Sequence, residues 1–289
     1  MPPAPSTPSL LLIGLSGQIG DALDTAALPA PALALSRQPA PSARPGIAWQ
    51  AGDLAGFQAD RPFAAVLSLG PLDRLAEAFD AGRLRAGHVV AFGSTSRWAK
   101  AASPDPAERA LAQRLAAAED RLAAVQARAG GALTLLRPTL VWGAGRDATL
   151  SRVVGWARRW PLLPLPLGAP GRRQPVHVAD LAAVALRALA LGREAGGGFD
   201  LPGGEALPFG TLLARSVAVA APGCRLLPLP WRPLAAWGRR RGAGALARLG
   251  EDLLFDSGPA QAVLGWAPRG FQPRPADFPD PGRRASGRA

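Results

Sequence analysis

Three glycines follow an apolar run near the start of the chain, at positions 14, 17 and 20. Glycine lets a backbone turn tightly and approach a phosphate, and a helix that follows offers free N–H groups and a positive dipole end. Lying between a predicted strand and a predicted helix, they indicate a dinucleotide site. Gly14 would make the turn, Gly17 would admit the pyrophosphate and Gly20 would let the helix pack, while Gln18 and Ile19 open the helix. An ordinary strand–helix turn is the alternative.

The second predicted strand ends in Ser36 and Arg37, about 20 residues beyond the glycines, with no acidic residue at that point. An NAD site of this kind places Asp or Glu there to bind the ribose 2′-hydroxyl. A guanidinium instead matches a 2′-phosphate with two hydrogen bonds. We therefore expect NADP as the cofactor, with NAD as the alternative. A solvated Arg37 in an arginine-rich chain is the competing interpretation.

Several reactive residue types are scarce or missing. The chain has no tyrosine, one cysteine (Cys224), two histidines and one lysine, Lys100. With a single cysteine, neither an intramolecular disulfide nor a cysteine-cluster zinc site can form, and we expect no metal. The lack of tyrosine removes the proton donor that is commonest on dinucleotide-binding scaffolds. The sequence therefore indicates binding more clearly than chemistry.

The net charge of +12 raises the question of a nucleic-acid partner. The arginines are scattered, apart from residues 239–241 and the C-terminal tail, and alanine, glycine and proline are abundant throughout. We therefore attribute the charge to composition and expect no specific nucleic-acid binding. Residues 226–237 are apolar and precede the basic run, an order that permits peripheral membrane contact, although core packing is the favoured interpretation.

The chain is expected to be cytoplasmic and to lack a transmembrane segment. No apolar run reaches the roughly 18–20 residues that span a bilayer. Residues 1–9 are proline-rich and lack the basic residues that open a secretory signal.

Strand-like and helix-like segments alternate over the first half of the chain. We predict strands from Leu10 and over 32–36, 47–50, 64–69, 88–92, 132–136 and 196–204, and helices over 72–79, 106–128 and 180–191. This pattern predicts an α/β fold, a Rossmann-type doubly wound parallel sheet with a small C-terminal lobe. The predicted organisation is a disordered N-terminus (1–9), an NAD(P)-binding domain (10–145), a C-terminal lobe interleaved with the sheet (146–278) and a disordered basic tail (279–289). Residues 160–170 cannot form a regular helix because of their prolines.

The chain resembles the extended or atypical short-chain dehydrogenase/reductases of the NAD(P)-dependent epimerase/dehydratase type. The resemblance spans roughly residues 10–275 and rests on the glycine turn, Gly52-Asp53-Leu54, the segment 92–96, the segment 136–143 and the segment 174–181. It implies that Asp53 and Leu54 contact the adenine. It also implies that Leu69, Gly70 and Pro71 line the nicotinamide-side ribose, and that Pro138 and Leu140 lie near the nicotinamide.

The chain departs from this family at the catalytic pair Tyr-x-x-x-Lys. Aligning Ala118-Glu119 with the family's usual Ala-Glu places Leu111 and Leu115 at the two positions, and leucine does not titrate. These leucines belong to one helical stripe with Ala118, Leu122 and Val125, which we expect to be a core face.

Other groups must therefore position a substrate or move a proton. Ser94 and Ser96, with Thr95 between them, occupy the place of the family's substrate-orienting hydroxyl. An imidazole can exchange a proton near neutral pH, which makes His177 a candidate, although a helix-capping role is the favoured interpretation. Lys100 is the remaining candidate. Arg137 and Arg173 either bind an anionic substrate or are surface arginines.

Two classes of function remain open. The first is an NAD(P)-binding oxidoreductase of the epimerase/dehydratase type that acts on a sugar nucleotide or another small hydroxyl or carbonyl substrate, with a homodimer suggested by the resemblance. The second is a non-catalytic NAD(P)-binding sensor or assembly factor.

Overall fold

The computed structural model describes residues 9–28, 31–37, 44 and 46–280. Most of both predicted tails, 1–8 and 281–289, and most of the proline-rich loop 39–45 lie outside the described residues. At the inner ends of the tails the chain is in contact with the rest of the molecule. The Ser9 N–H donates to the Pro31 carbonyl at 3.2 Å, and a Cβ on Gly145 would lie 2.7 Å from Cδ of Pro279.

Seven parallel strands form a central sheet, in the order β11-β6-β5-β4-β1-β2-β3. The strands of the described chain are β1 (Leu10–Ile13), β2 (Ala32–Ser36), β3 (Ile47–Ala51), β4 (Phe63–Ser68), β5 (Ala86–Phe92), β6 (Ala132–Pro138), β7 (Val141–Trp142), β8 (Leu162–Leu165), β9 (Arg172–Arg173), β10 (Val176–His177), β11 (Gly197–Leu201), β12 (Leu207–Pro208) and β13 (Arg225–Pro228). The predicted Rossmann-type doubly wound sheet is confirmed.

Helices cover both faces of this sheet. The α-helices of the described chain are α1 (Gln18–Asp21), α2 (Leu72–Asp80), α3 (Ser96–Ala99), α4 (Pro106–Arg128), α5 (Leu150–Arg159), α6 (Val178–Leu191), α7 (Phe209–Ala220), α8 (Trp231–Arg241), α9 (Gly244–Ala247) and α10 (Gly258–Leu264). In the described part of the chain, no helix combines the length and the apolar character needed to cross a bilayer.

The central strand β1 shows why the sheet is buried on both faces. All four of its residues are buried, and their side chains alternate between two cores. Leu10 and Leu12 belong to a core that also contains buried residues of α6, whereas Leu11 and Ile13 belong to a core with residues of α2 and α4. Full burial of a leucine side chain stabilises the fold by about 2–3 kcal/mol. A continuous apolar strand is therefore the expected sequence for this position.

The strand order reverses at β1, which pairs with β2 on one side and with β4 on the other. The connections that leave β1 and β4 therefore cover opposite faces, and a crevice opens at the carboxyl ends of the strands. Contacts of α1 with α6 on one face and of α2 with α4 on the other fit this arrangement.

The second half of the chain both completes the central sheet and forms its own core. Strand β11 pairs with β6, and α6 packs on the sheet. Residues of α5, β8 and α7 enclose a further core around Trp142 and Phe271. Within 160–170 the proline-rich segment forms the short strand β8, in agreement with the expectation that it is not helical.

An ion-pair cluster joins the second half to the start of α4. The Arg248 guanidinium donates to both carboxylate oxygens of Glu108 at 2.6 and 2.9 Å and to the Ser103 hydroxyl at 3.0 Å. Lys100 lies 3.3 Å from the same carboxylate. Hydrogen bonds from Arg248 hold the pKa of Glu108 at about 2, although burial acts in the opposite direction. Lys100 is thus engaged in a structural cluster.

Replacing this carboxylate changes the acid stability of the protein. The native pKa of Glu108 lies below its unfolded value, so its contribution exists above about pH 4.5 and disappears as the pH falls toward 2. We expect Glu108→Gln to lower the free energy of unfolding at neutral pH by about 2 kcal/mol and to remove this share of the acid dependence. Urea denaturation at a series of pH values measures both effects.

Glu77→Gln is the matched control, because the ion pair that Glu77 forms with Arg74 is exposed. It should change stability by less than about 0.5 kcal/mol and leave the acid dependence as in the wild type. An acid dependence of Glu108→Gln equal to that of the wild type would contradict the assignment.

Candidate functional site

A cavity of about 980 Å³ opens at the carboxyl ends of β1, β2, β3 and β4. Its volume lies at the upper end of the roughly 300–1,000 Å³ typical of ligand sites. It is lined by Ile13, Gly14, Ser16, Asp21, Leu35, Ser36, Arg37, Gly52, Asp53, Leu54, Ala55, Gly70, Pro71, Arg74 and Arg146. Seven of the residues proposed from the sequence to bind the cofactor are among them.

The three glycines of the first turn have different roles. Gly14 has a φ of +83°, and a Cβ there would lie 2.9 Å from the backbone nitrogen of Gly70. A Cβ on Gly20 would lie 2.4 Å from the Leu15 carbonyl oxygen, which leaves no room for any side chain. A Cβ on Gly17 would meet only the Gly14 carbonyl oxygen, at 3.1 Å. Gly14 and Gly20 are therefore required by packing, whereas Gly17 leaves its side of the turn open.

The helix that follows these glycines is short. In the structure this helix, α1, is a single turn. It ends early because the Asp24 carboxylate accepts from the Ala26 N–H and begins a separate 3₁₀ turn at Thr25–Ala27. A dipole from one turn is small, so an anion here would depend on individual N–H groups. No side chain caps α1 at Gly17, which leaves its first N–H groups available.

The two side chains at the start of α1, Gln18 and Ile19, are largely shielded from solvent. Ile19 belongs to the core, so only its backbone faces the turn. The amide oxygen of Gln18 is shielded from solvent and has no hydrogen-bond partner among the described residues.

An arginine distant in sequence closes the mouth of the turn. Arg146 donates from Nη1 to the Ser16 carbonyl at 2.9 Å and from Nη2 to the Asp21 carboxylate. Arg44 donates to the Gly20 carbonyl at 3.1 Å and lies 4.0 Å from the same carboxylate. The two guanidiniums offset the negative charge of Asp21, which would otherwise repel a phosphate. Arg146 is not predicted from the sequence, because no spacing rule connects it to the glycines.

The ends of β2 and β3 supply the opposite wall. Ser36 is buried at the end of β2, and Arg37 beside it is exposed and lines the cavity. One carboxylate oxygen of Asp53 accepts from the N–H groups of Ala55 and Gly56, at 3.0 and 3.1 Å. This turn places Asp53 and Leu54 at the cavity wall, where the resemblance implies an adenine.

Only some of the residues expected near the nicotinamide and its ribose line the cavity. Gly70 and Pro71 line the cavity, whereas Leu69 packs against a core. The Pro138 carbonyl accepts from both the N–H and the hydroxyl of Thr95, at 3.2 and 3.1 Å. Leu140 packs against the core around Trp142. In the described chain, Leu69, Pro138 and Leu140 therefore do not contribute to the wall of this cavity.

The hydroxyl groups of the loop after β5 are already partly engaged. The Ser94 hydroxyl accepts from the Ser96 N–H at 3.1 Å, and Thr95 is buried against the Pro138 carbonyl. Ser96 is half-buried at the start of α3. None of the three lines the cavity described above.

His177 contacts the protein through both ring nitrogens. Its Nδ1 accepts from the Ala179 N–H at 3.1 Å and caps α6, while Nε2 lies 3.3 Å from the Asp277 carboxylate. The ring packs edge-to-face on Trp142, with centroids 4.7 Å apart, and a Cβ on Gly143 would overlap it. These contacts favour the structural interpretation of His177.

Neither Arg137 nor Arg173 is a freely solvated surface arginine. Arg137 donates to the buried Glu119 carboxylate at 2.9 Å, and Arg97 donates to the same oxygen at 2.7 Å. Burial raises the pKa of Asp200 nearby, although Arg137 lowers it. Arg173 donates to backbone carbonyls, and burial lowers its pKa to about 10. Both guanidiniums are held by the protein itself.

The stripe on α4 is a core face over only part of its length. Ala118 and Leu122 are buried, and Val125 packs against the same core. Leu111 and Leu115 are half-buried and belong to none of the cores formed by the described residues. The core interpretation is therefore wrong for these two leucines, since α4 extends beyond the sheet that its later turns cover.

The comparisons with known proteins identify the fold. The sequence matches no protein-family model and no curated protein. Among solved structures, MoeE5 in complex with UDP-glucose and NAD is similar with a TM-score of 0.68 and 20% identity, over 96% of this chain and 99% of that one. UDP-galactose 4-epimerase is similar with a TM-score of 0.65 and 15% identity, over 93% and 95% of the two chains.

A third structure agrees with these two. UDP-N-acetylglucosamine 4-epimerase from Bacillus cereus is similar with a TM-score of 0.63 and 13% identity, over 94% of each chain. The chain therefore has the fold of the sugar-nucleotide epimerase structures, over nearly its whole length, as the sequence resemblance implied.

Proposed function

We propose that this protein binds NADP at the carboxyl edge of its sheet and acts on a sugar nucleotide or another small hydroxyl or carbonyl compound. The observation that carries the proposal is the cavity that joins the glycine turn, Arg37, Asp53 and the Gly70–Pro71 exit of β4. MoeE5, which shares this fold, was solved in complex with UDP-glucose and NAD. The equivalence of fold supports the same classes of ligand here. When bound, the nicotinamide supplies hydride transfer.

The residues present suit a dinucleotide. Gly17 leaves its side of the turn open, and the uncapped N–H groups of α1 would bind the diphosphate with Arg146 close by. Arg37 would bind a 2′-phosphate, which is the support for NADP over NAD. Asp53 and Leu54 would contact the adenine, and Gly70 and Pro71 the ribose beyond the diphosphate. We also propose that the protein resides in the cytoplasm and forms a homodimer.

The chain offers limited means for moving a proton. In our proposal Ser94 and Ser96 orient the substrate, because they follow β5 at the same edge of the sheet. His177 positions the chain at the start of α6, since both of its nitrogens are engaged. A water molecule is then the remaining proton carrier.

A non-catalytic role is the second candidate. Leu111 and Leu115 lie outside the cores of the described residues, at the positions that the sequence resemblance assigns to the family's tyrosine and lysine. A site that keeps its cofactor cavity and lacks this pair suits a protein that reports the redox state or stabilises a complex.

Two glycine variants separate binding from folding. We expect Gly17→Ala to weaken NADP binding at least about tenfold, with a stability loss below about 1 kcal/mol, because its methyl group would face the diphosphate. Gly20→Ala should destabilise by at least about 2 kcal/mol, since its Cβ overlaps the Leu15 backbone. Calorimetric titration and thermal unfolding provide the readouts.

Gly155→Ala, in α5, is the matched control because its Cβ would meet nothing within 4 Å. It should leave both properties unchanged or raise stability slightly. Normal NADP affinity in a folded Gly17→Ala protein would argue against the proposed diphosphate site.

The cofactor preference depends on Arg37. We expect Arg37→Glu to weaken NADP binding at least about tenfold and to reverse the preference toward NAD, because a carboxylate repels a 2′-phosphate and binds a ribose hydroxyl. Titration of both cofactors into both proteins measures this. Arg187→Glu, exposed on α6, makes the same change of charge outside the cavity and should preserve the preference. An unchanged preference in Arg37→Glu would end the NADP assignment.

Catalysis is tested by following the absorbance of the reduced nicotinamide across a panel of sugar nucleotides and small carbonyl compounds. We expect turnover in the wild type and a loss of at least about tenfold in a Ser94→Ala, Ser96→Ala double variant that still binds cofactor. Ser257→Ala is the control and should keep the wild-type rate. Cofactor binding without turnover across the whole panel would favour the sensor or assembly role.

A further inference from the structure

The positive charge of this protein is concentrated in two segments of its second half. Residues 148–179 contain five arginines and residues 206–250 contain seven, and neither segment contains an aspartate or a glutamate. The remaining residues carry equal numbers of basic and acidic side chains, 21 of each. The whole net charge of +12 therefore belongs to these two segments. A chain-wide excess of arginine does not explain this distribution, because arginines elsewhere are balanced by acids.

Large apolar side chains are exposed in the same two segments. Trp156 is 46% exposed, Trp160 60%, Leu162 48% and Leu227 44%. Large apolar side chains grouped on a surface indicate an interaction site, whereas single ones carry no information. These four residues therefore indicate an interaction site only if they form one surface.

The elements that carry them are adjacent, because α5 contacts β8 and β8 pairs with β13. Trp156 lies in the last turn of α5, and Trp160 is the extended residue at which the helix ends; the Trp160 N–H donates to the Trp156 carbonyl at 3.0 Å. Leu162 begins β8 two residues later and lies directly opposite Arg225 in the parallel pair of β8 with β13.

The register of this pair places further residues on the outer face of the ribbon. Leu227 lies opposite Pro164, and residues two apart in a strand share a face. Leu162 and Pro164 are exposed, whereas Leu163 and Leu165 are buried in the core, so this face of the ribbon is the outer one. Arg152, exposed one turn before Trp156, extends the surface along α5. We call Arg152, Trp156, Trp160, Leu162, Arg225 and Leu227 the tryptophan–arginine face.

We propose that the tryptophan–arginine face binds the surface of an anionic lipid bilayer. Tryptophan prefers the interface between headgroups and acyl chains, leucine enters the apolar layer, and arginine pairs with anionic headgroups. The absence of acidic residues from both segments removes the charges that such a surface would repel. The contact is peripheral.

A second copy of the chain fits this face less well. A two-fold interface would bring the face against its own equivalent and place arginine beside arginine, without acids to compensate. A nucleic acid would satisfy the arginines but would leave the exposed leucines and Pro164 without an apolar environment. The observations therefore favour a lipid surface, and binding to a nucleic acid is an outcome of the test.

Co-sedimentation of the full chain with vesicles tests the proposal. We expect binding to vesicles of phosphatidylglycerol and phosphatidylcholine, and at least about tenfold weaker binding to vesicles of phosphatidylcholine alone. Trp156→Ser with Trp160→Ser should reduce binding at least about tenfold. Arg152→Gln with Arg225→Gln should reduce it about 25-fold, since each arginine near such a surface contributes about fivefold.

Matched variants exclude general effects of charge and hydrophobicity. Arg114→Gln with Arg121→Gln, on the exposed side of α4, removes the same charge elsewhere, and Val263→Ser removes an exposed apolar side chain of α10. Both should bind vesicles as the wild type does. Thermal unfolding of every variant, compared with the wild type, shows that each remains folded.

Three outcomes would overturn the proposal. They are no sedimentation with anionic vesicles, equal losses in the matched and the targeted variants, and binding to a nucleic acid duplex at a salt concentration where vesicles are not bound. None of these readouts involves a nicotinamide cofactor, so they are independent of the function proposed above.

Discussion

At the exit of β1 the backbone turns with a φ of +83° at Gly14, and a Cβ there would lie 2.9 Å from the backbone of both Leu69 and Gly70 at the exit of β4. Any other residue would force these two loops apart. They run to opposite faces of the sheet, because β1 is the strand at which the order reverses. Their contact fixes the floor of the crevice between them. The floor of the cavity and the position of Pro71 follow from this approach of backbone to backbone, whereas the uncapped start of α1 follows from the glycine at position 17.

The charges around the cavity are arranged differently from those of the tryptophan–arginine face. The cavity is lined by three arginines (Arg37, Arg74 and Arg146) and by two aspartates (Asp21 and Asp53). Mixed charges of this kind can bind a ligand that carries both phosphates and hydrogen-bond donors. The tryptophan–arginine face has positive charge alone, beside exposed apolar groups. A small molecule with defined donors and acceptors suits the first surface, and an extended anionic surface suits the second.

The sequence predicted the sheet better than it predicted the site. Apolar runs such as β1 are specified by burial on both faces, so their pattern is visible without knowledge of the partners. The sequence predicted a helix after the glycines but not that it is a single turn, because the glycine spacing carries no signal for the point at which the Asp24 side chain begins a new turn. Arg146 and the pairing of Arg248 with Glu108 depend on contacts across more than a hundred residues. Local spacing carries no information about such pairs.

The absence of tyrosine has a structural consequence as well as a chemical one. A tyrosine and lysine pair on α4 would need hydrogen-bond partners or water for its polar groups. Leu111 and Leu115 have no polar groups, and both are half-buried. Nearby, Lys100 pairs with Glu108, and Arg97 and Arg137 share the buried Glu119 carboxylate. The cations of this region thus neutralise carboxylates of α4 and hold the helix in place. Groups held in this way are poor candidates for moving a proton, because release from the carboxylate would leave a buried charge unpaired. Binding and orientation are therefore the roles that we propose for this arrangement of residues, with the serine loop after β5 orienting the substrate and a water molecule carrying the proton.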